Sequence, residues 1–223
     1  TGIGIDTGNN SETGLIPPGS SKQVSIDNYR VDEGFLEAMG MTLKAGRWFD
    51  PNRPMNDMEV PFPTNEDAER AMAARGANVV LNEYAVKKLG FSSPADAIGK
   101  TVRSEIFSPG TGVMNLNIIG VVGDTRFRTV RTAIDPIMFS NTESGQSFLI
   151  IRYNGDPAAV KAAAERQWKQ ITNEVPFNAE FSEEIIAELY EAEDSRARMF
   201  AAFALLAVII GCLGLFGLAA FTA

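Results

Sequence analysis

Histidine is missing from this 223-residue chain, and cysteine occurs once, as Cys212. Without an imidazole, and with no thiol ahead of residue 212, the Cys–His and Ser–His nucleophile–base pairs are excluded. So are nearly all zinc-site designs. A lone cysteine also leaves no intrachain disulfide, and a cysteine-free stretch ahead of Cys212 is compatible with an extracytoplasmic location. Positive charge is in short supply as well: 20 Lys and Arg stand against 28 Asp and Glu, a net charge of -8. That balance argues against nucleic acid, and against anionic lipid, as the main partner of the polar part. No Ser-x-x-Lys or Gly-x-Ser-x-Gly arrangement is present. The residues therefore suggest no catalytic, cofactor-binding or metal-binding site. The chain opens on Thr1 rather than Met, so a preceding portion is expected, and no signal peptide is visible.

What is present in quantity is apolar sequence at the other end. Met199 to Ala223 contains no charged residue. A helix needs about 20 apolar residues to cross a bilayer core of roughly 30 Å, so this stretch reads as a transmembrane helix, with the chain ending inside or just after it. Within it Ala207, Gly211, Gly214 and Gly217 recur at three- and four-residue intervals. Small residues on one helix face let backbones approach closely in lipid, which makes these four a candidate packing seam. Gly and Ala are also common in membrane helices generally, but a lone anchor would not need such a seam, so the packing reading is favoured and hints at further spans. Arg196 and Arg198 just before the span would place its N-terminal side in the cytoplasm, but that rule acts mainly on short loops.

The roughly 200 residues ahead of the span can bury a core of their own. Residues 1–20, ending in Pro17-Pro18-Gly19-Ser20, read as an irregular lead-in. Gln23 to Val31 alternates as a strand does. Asp32-Glu33 open a short helix that Gly40 closes in a left-handed cap, and Met41 to Phe49 is extended and broken at Gly46. A Pro-, Asn- and Asp-rich loop follows from 50 to 63. Thr64 with Asp67 then resembles a capping box ahead of an Ala-rich helix to Arg75. Short strands are expected at 78–82, 101–107, 116–122 and 137–140, and short helices at 83–89 and after Ser93-Pro94. Phe148 to Tyr153 and Phe177 to Phe181 read as strands flanking a helix that Asp156-Pro157 caps. That helix carries Val160, Ala164, Trp168 and Ile171 on one face. Ser182 caps a last helix that nothing interrupts before the span, so the two read as one rod.

Three further groups have the look of chemistry. Gly120-Val121-Val122-Gly123-Asp124 superficially resembles a phosphate loop but lacks the Lys-Ser/Thr pair and the full dinucleotide glycine pattern, and reads as a buried strand with a Gly-Asp turn. Glu183, Glu184, Glu188, Glu191, Glu193 and Asp194 lack EF-hand spacing and read as a solvated helix face. Arg126, Arg128 and Arg131 form a small basic group best explained as ordinary loop charge. Trp48 and Trp168 are expected in the core.

Several stretches in fixed order carry a family resemblance. They are Tyr29-Arg30-Val31 through Phe35-Leu36-Glu37-Ala38-Met39-Gly40; Leu43-Lys44-Ala45-Gly46-Arg47-Trp48-Phe49; and Val79-Val80-Leu81-Asn82-Glu83-Tyr84-Ala85. Leu89-Gly90, Ala97-Ile98-Gly99-Lys100-Thr101-Val102, Ile118 to Asp124 and Cys212 to Ala223 complete the set. On these the chain resembles the extracytoplasmic, MacB-like periplasmic core domain of MacB/FtsX-type ABC transporter permeases, with the start of the following membrane helix. The resemblance implies an α+β fold of two subdomains: a porter-like one from strand–helix–strand units at 1–50 and 147–198, and an inserted small α/β subdomain at 51–146. The transmembrane helix at 199–223 follows. It implies residues 1–198 on the periplasmic side of a bacterial inner membrane. The implied partners are a cytoplasmic ABC ATPase, a second permease half or subunit, and a periplasmic protein. ATP hydrolysis would occur on the ATPase, and its motion would pass through the spans as mechanotransmission, driving export or other extracytoplasmic work. The family brings no catalytic residue to this chain. The competing reading from the residues is a membrane-anchored extracytoplasmic domain that senses a small ligand through the same helix, which calls for a compact pocket of convergent polar groups.

Overall fold

A computed structural model describes residues 11–60, 65–105, 107, 110–127, 133–142, 148–172 and 174–222. The chain forms two compact units, Thr1–Ile171 and Thr172–Ala223. The first is a mixed α and β body whose strands join into a ring.

Strand β1 (Glu12–Ile16) pairs antiparallel with β2 (Val24–Val31), Leu15 lying opposite Val24. The turn between them uses the Pro17-Pro18-Gly19 stretch, with Ser20 N donating to Pro17 O at 3.2 Å. β2 runs parallel to β7 (Ile137–Asn141), and β7 runs antiparallel to β4 (Ala77–Asn82). β4 is parallel to β6 (Met114–Val122), β6 is antiparallel to β5 (Thr101–Ser104), and β5 returns to β1. The ladder therefore closes on itself as β1–β2–β7–β4–β6–β5. β3 (Leu43–Gly46) attaches outside that ring, on the C-terminal half of β6, with Gly46 opposite Gly120.

One core draws on every strand of the ring: Leu15, Ile26, Met138, Val79, Leu81, Leu116, Ile118 and Val102 are fully buried in it. Short helices pack onto the same core. Helix α2 (Glu66–Arg75) contributes Met72 and Ala73, α3 (Glu83–Lys88) contributes Ala85 and Val86, and α4 (Pro94–Ala97) contributes Ala97. A second core on the other face is aromatic. Phe35 of α1 (Phe35–Ala38) meets Phe127 and Phe139, both of which also meet Tyr29, with Trp48 half-buried at its edge. The Trp48 indole N–H donates to Glu33 O at 3.0 Å, and its ring sits 5.7 Å from that of Phe139. Trp48 is thus a core residue, as expected.

Two glycines set the seam between β3 and β6. Gly46 has φ +72°, and a Cβ there would run into the Ile119 carbonyl oxygen; a Cβ on Gly120 would run into that of Arg47. The phosphate-loop look-alike is explained by this: Gly120 is there for backbone approach inside a strand. Arg47 N donates to Ile119 O at 2.9 Å across the same seam.

Helix boundaries follow their caps. Gly40, Gly76, Gly90 and Gly99 all have positive φ and end short elements where the sequence placed breaks. The N-cap of α2 is Asn65, whose Oδ1 accepts from Ala68 N at 2.8 Å, where a Thr64 cap was expected; Thr64 lies outside the described residues. Ser93 caps α4 as expected, accepting from Asp96 N at 3.2 Å. The Asp96 carboxylate accepts from Ser92 N and Ser92 Oγ, and these hydrogen bonds hold its pKa below the ordinary value.

Three expectations differ from what is observed. Residues 12–16 form a strand rather than an irregular lead-in, because β1 takes partners from β2 and from β5, the latter about ninety residues away and invisible to a local reading. Phe148–Tyr153 is not a strand: Ile150 packs on the aromatic core, and Arg152 Nη1 donates to Glu37 O at 3.1 Å. Phe177–Phe181 is not a strand either. Alternation supplies propensity, but a ladder also needs an edge to join. Helix α5 (Pro157–Ile171) forms as expected, its first amides held by the Asp156 carboxylate, with Val160, Ala164 and Trp168 half-buried and Ile171 exposed. The ring takes strands from both sides of the 50/51 boundary expected between subdomains.

The second unit is dominated by α6 (Ser182–Thr222), 41 residues without a break and about 60 Å long at 1.5 Å per residue. Its start is closed one residue earlier than expected: Phe181 N donates to Glu184 Oε2 at 3.2 Å, the returning half of a capping box, and Ile185 N donates to Phe181 O.

Asn82, 1% exposed, is hydrogen-bonded through both ends of its side-chain amide. Its Oδ1 accepts from Ala85 N and Ile137 N, each at 2.9 Å, and its Nδ2 donates to Asp135 O at 2.8 Å. Asn82→Ala should cost about 3 kcal/mol, since it strands two buried amides and a carbonyl; Asn65→Ala, at an exposed cap, should cost about 1 kcal/mol. Urea unfolding followed by tryptophan fluorescence measures both, and equal losses would contradict this account.

Candidate functional site

Two places in the chain have the character of functional surface: the apolar length of α6, and a polar cleft on the first unit.

Arg198–Leu215 of α6 is an 18-residue window, wholly unburied, that is long and apolar enough to cross a membrane by length and composition. At 1.5 Å per residue it spans about 27 Å, close to the thickness of a hydrocarbon core. Ala207, Gly211, Gly214 and Gly217 are all exposed on this helix. At 100° per residue they fall within an arc of about 120°. Nothing lies within 4 Å of where a Cβ would stand on any of the three glycines. Leu205, Ile209 and Leu213 are exposed too, so the large apolar residues of this helix surround the small ones without covering them. Cys212, the single thiol, is also exposed.

The cleft has a volume of about 350 Å³ and is shallow and broadly open to solvent. It is lined by Gly40, Met41, Thr42, Lys44, Glu83, Gly123, Asp124 and Thr125. Three separate stretches of chain converge here for local reasons. The left-handed Gly40 ends α1 and points the chain into β3, where Lys44 sits. Asn82 caps α3 and so fixes Glu83 as the first residue of that helix. β6 ends at Val122, and Gly123 N donates to Thr42 O at 2.9 Å, which ties the end of β6 to the start of β3. Asp124 then turns back, its Oδ1 accepting from Tyr84 N at 2.9 Å. The cleft therefore presents one ammonium group, two carboxylates and two threonine hydroxyls. Such a set can bind a polar ligand through charge and hydrogen bonds. Among the described residues, no group of three or more His, Cys, Asp or Glu is placed to hold a metal ion.

The other singled-out groups do not assemble into a site. Glu183 and Glu184 are exposed at the start of α6, and the side chains of Glu188, Glu191, Glu193 and Asp194 are outside the described set. Arg126 is exposed, while Arg128 and Arg131 lie outside the described residues. The cleft itself was not legible in the sequence. Its residues come from three stretches more than thirty residues apart, and only Gly40 and the Gly123-Asp124 turn carried a local signal.

No protein-family model matches this chain, and no curated protein matches it. Among solved structures it is similar to the periplasmic region of MacB from Actinobacillus actinomycetemcomitans, at 17% identity and a TM-score of 0.40; the match covers 72% of this chain and 63% of that one. It is similar to a domain of a protein called a permease from Porphyromonas gingivalis, at 15% identity and a TM-score of 0.45, covering 79% of this chain and 78% of that one. A third likeness is to the extracellular domain of the noncanonic ABC-type transporter YknZ from Gram-positive bacteria, at 12% identity and a TM-score of 0.34, covering 58% of this chain and 49% of that one. This chain thus spans less than two thirds of the first and third of these. Likenesses of this size stand as similarities and carry no functional argument.

Proposed function

We propose that this chain is the extracytoplasmic domain and following span of one permease half of an ABC-type transporter, and that it works by mechanotransmission. The observation that carries the reading is α6: one unbroken helix runs from the polar, acidic Ser182 end into the apolar window Arg198–Leu215. A helix without a hinge moves as a rod, so displacement of the span is delivered to residues outside the membrane without loss in a joint. The ordered set of sequence motifs from Tyr29 to Ala223 supports the same reading. In this proposal residues 1–198 lie outside the cytoplasmic membrane of a bacterium. ATP is hydrolysed on a cytoplasmic ATPase, with a second permease half or subunit alongside and a periplasmic protein as a further partner.

Purification of the full protein from membranes, with an ATPase assay on what accompanies it, tests this directly. A stoichiometric ATPase subunit, or an ATPase domain on the same polypeptide, is the expected outcome; absence of both, and of further spans, would sink the reading in favour of ligand sensing. In the assembled complex, Ala192→Pro should leave ATP hydrolysis intact. It should abolish the ATP-dependent change in distance between spin labels on residues outside the membrane, because a mid-helix proline costs about 3 kcal/mol and kinks the rod.

Ala207, Gly211, Gly214 and Gly217 are proposed as the face that packs against a neighbouring span. Gly214→Leu should weaken co-purification of the second permease half by about fivefold, near 1 kcal/mol, whereas Leu205→Ala on the opposite face should not. Equal effects would reject the seam.

The division into a porter-like subdomain of 1–50 with 147–198 and an insertion of 51–146 is part of the same proposal, with β1 and β2 closing the ring of the insertion's strands and β3 attached outside it.

A further inference from the structure

The polar cleft holds an ammonium group and a carboxylate that are not spent on each other. Lys44 comes from β3 and Glu83 from the start of α3, and Gly123 lies between them. A Cβ on Gly123 would stand 3.0 Å from Lys44 Cε and 3.7 Å from Glu83 Oε2, so both side chains border one spot. Neither Lys44 nor Glu83 has a hydrogen-bond or ion-pair partner among the described residues. Lys44 is exposed and Glu83 half-buried, and Gly123, with no side chain, leaves the space beside both of them open. Asp124 adds a second carboxylate on the Glu83 side, held in place by Tyr84 N. Met41 supplies an apolar wall.

We infer that this cleft binds a small zwitterion, an α-amino acid or short peptide, with its carboxylate on Lys44 and its ammonium on Glu83 and Asp124. Charge complementarity selects the class. A simple anion that reaches Lys44 also meets two carboxylates, and a simple cation that reaches the carboxylates also meets Lys44. A ligand carrying both charges satisfies both ends at once. The groups are partly solvated, so affinity is modest, with a dissociation constant of about 1 mM. The inference stands apart from the transport reading, because it rests on the cleft alone and not on α6.

The test is a titration of the full chain in detergent micelles with L-alanine and with L-alanyl-L-alanine, read as backbone amide shifts of residues 40–44 and 123–125. N-acetyl-L-alanine and L-alaninamide, each keeping one charge, are the controls. At least one zwitterion should saturate the shifts, with both controls at least about tenfold weaker. Lys44→Gln and Glu83→Gln should each weaken binding about tenfold, and Gly123→Ala should do so by filling the floor while both charges remain. The rest of the spectrum reports whether each variant is folded. No saturable shift by about 20 mM, equal binding of the single-charge controls, or binding unchanged in Lys44→Gln and Glu83→Gln would each overturn the inference. Failure here leaves the ATPase co-purification result untouched, and the reverse holds as well.

Discussion

The structure of residues 12–141 depends on one strand serving two neighbours along the same edge. The N-terminal half of β6 pairs with β5, from Thr101 opposite Asn117 to Ser104 opposite Met114, and its C-terminal half pairs with β3. The first pairing closes the ring, and the second hangs a strand outside it. The exchange between the two occurs where Ile118 N donates to Lys100 O and Gly99 N donates to Ile118 O. Where the ring closes, Leu15 and Ile16 of β1 pair with Ser104 and Arg103 of β5, which shortens the open edge of both strands. The same arrangement demands glycine at 46 and 120, since two backbones must cross with no room for a Cβ.

Local signals in the sequence told most where the physics is local. Gly40, Gly90 and Gly99 mark chain reversals, and each has the positive φ that only glycine adopts without strain. Asn82 and Ser93 cap the helices that follow them, and Asp156 caps α5. Periodicity also gave α5 and the continuity of α6 from Ser182 to Thr222. What stayed hidden is non-local. β1 looks like loop because Glu12–Ile16 has no strong pattern of its own and is recruited by β2 and β5. Phe148–Tyr153 looks like a strand because of its composition, yet it packs without joining a ladder. The cleft was illegible for the same reason, since Lys44, Glu83 and Asp124 are brought together only by the β3–β6 pairing and the Asn82 cap.

The two units differ in what holds them. The first is stabilised by burial on both faces of its strands, one core aliphatic and ring-filling, the other aromatic. The second shows the opposite balance: the apolar window of α6 is unburied, and its large side chains face outward. Apolar surface of that extent in water is a strong liability, which the proposed membrane span would remove. The four small residues, Ala207 to Gly217, lie on this outward surface, where close helix contact is open to them.

The closure of the ring also sets an order of events. β2 needs β7 as its parallel neighbour, with Asp27 opposite Ile137, and β1 needs β5, with Leu15 opposite Ser104. Pairings so distant in sequence carry a large loop-closure cost before they return anything, and they form late. The β1–β2 hairpin can therefore form early but cannot be locked until the chain has been delivered through Asn141. A chain that emerges from one end waits, half-assembled, for its seventh strand, and any factor that holds the early hairpin in solution during that interval governs how much of it reaches the folded state.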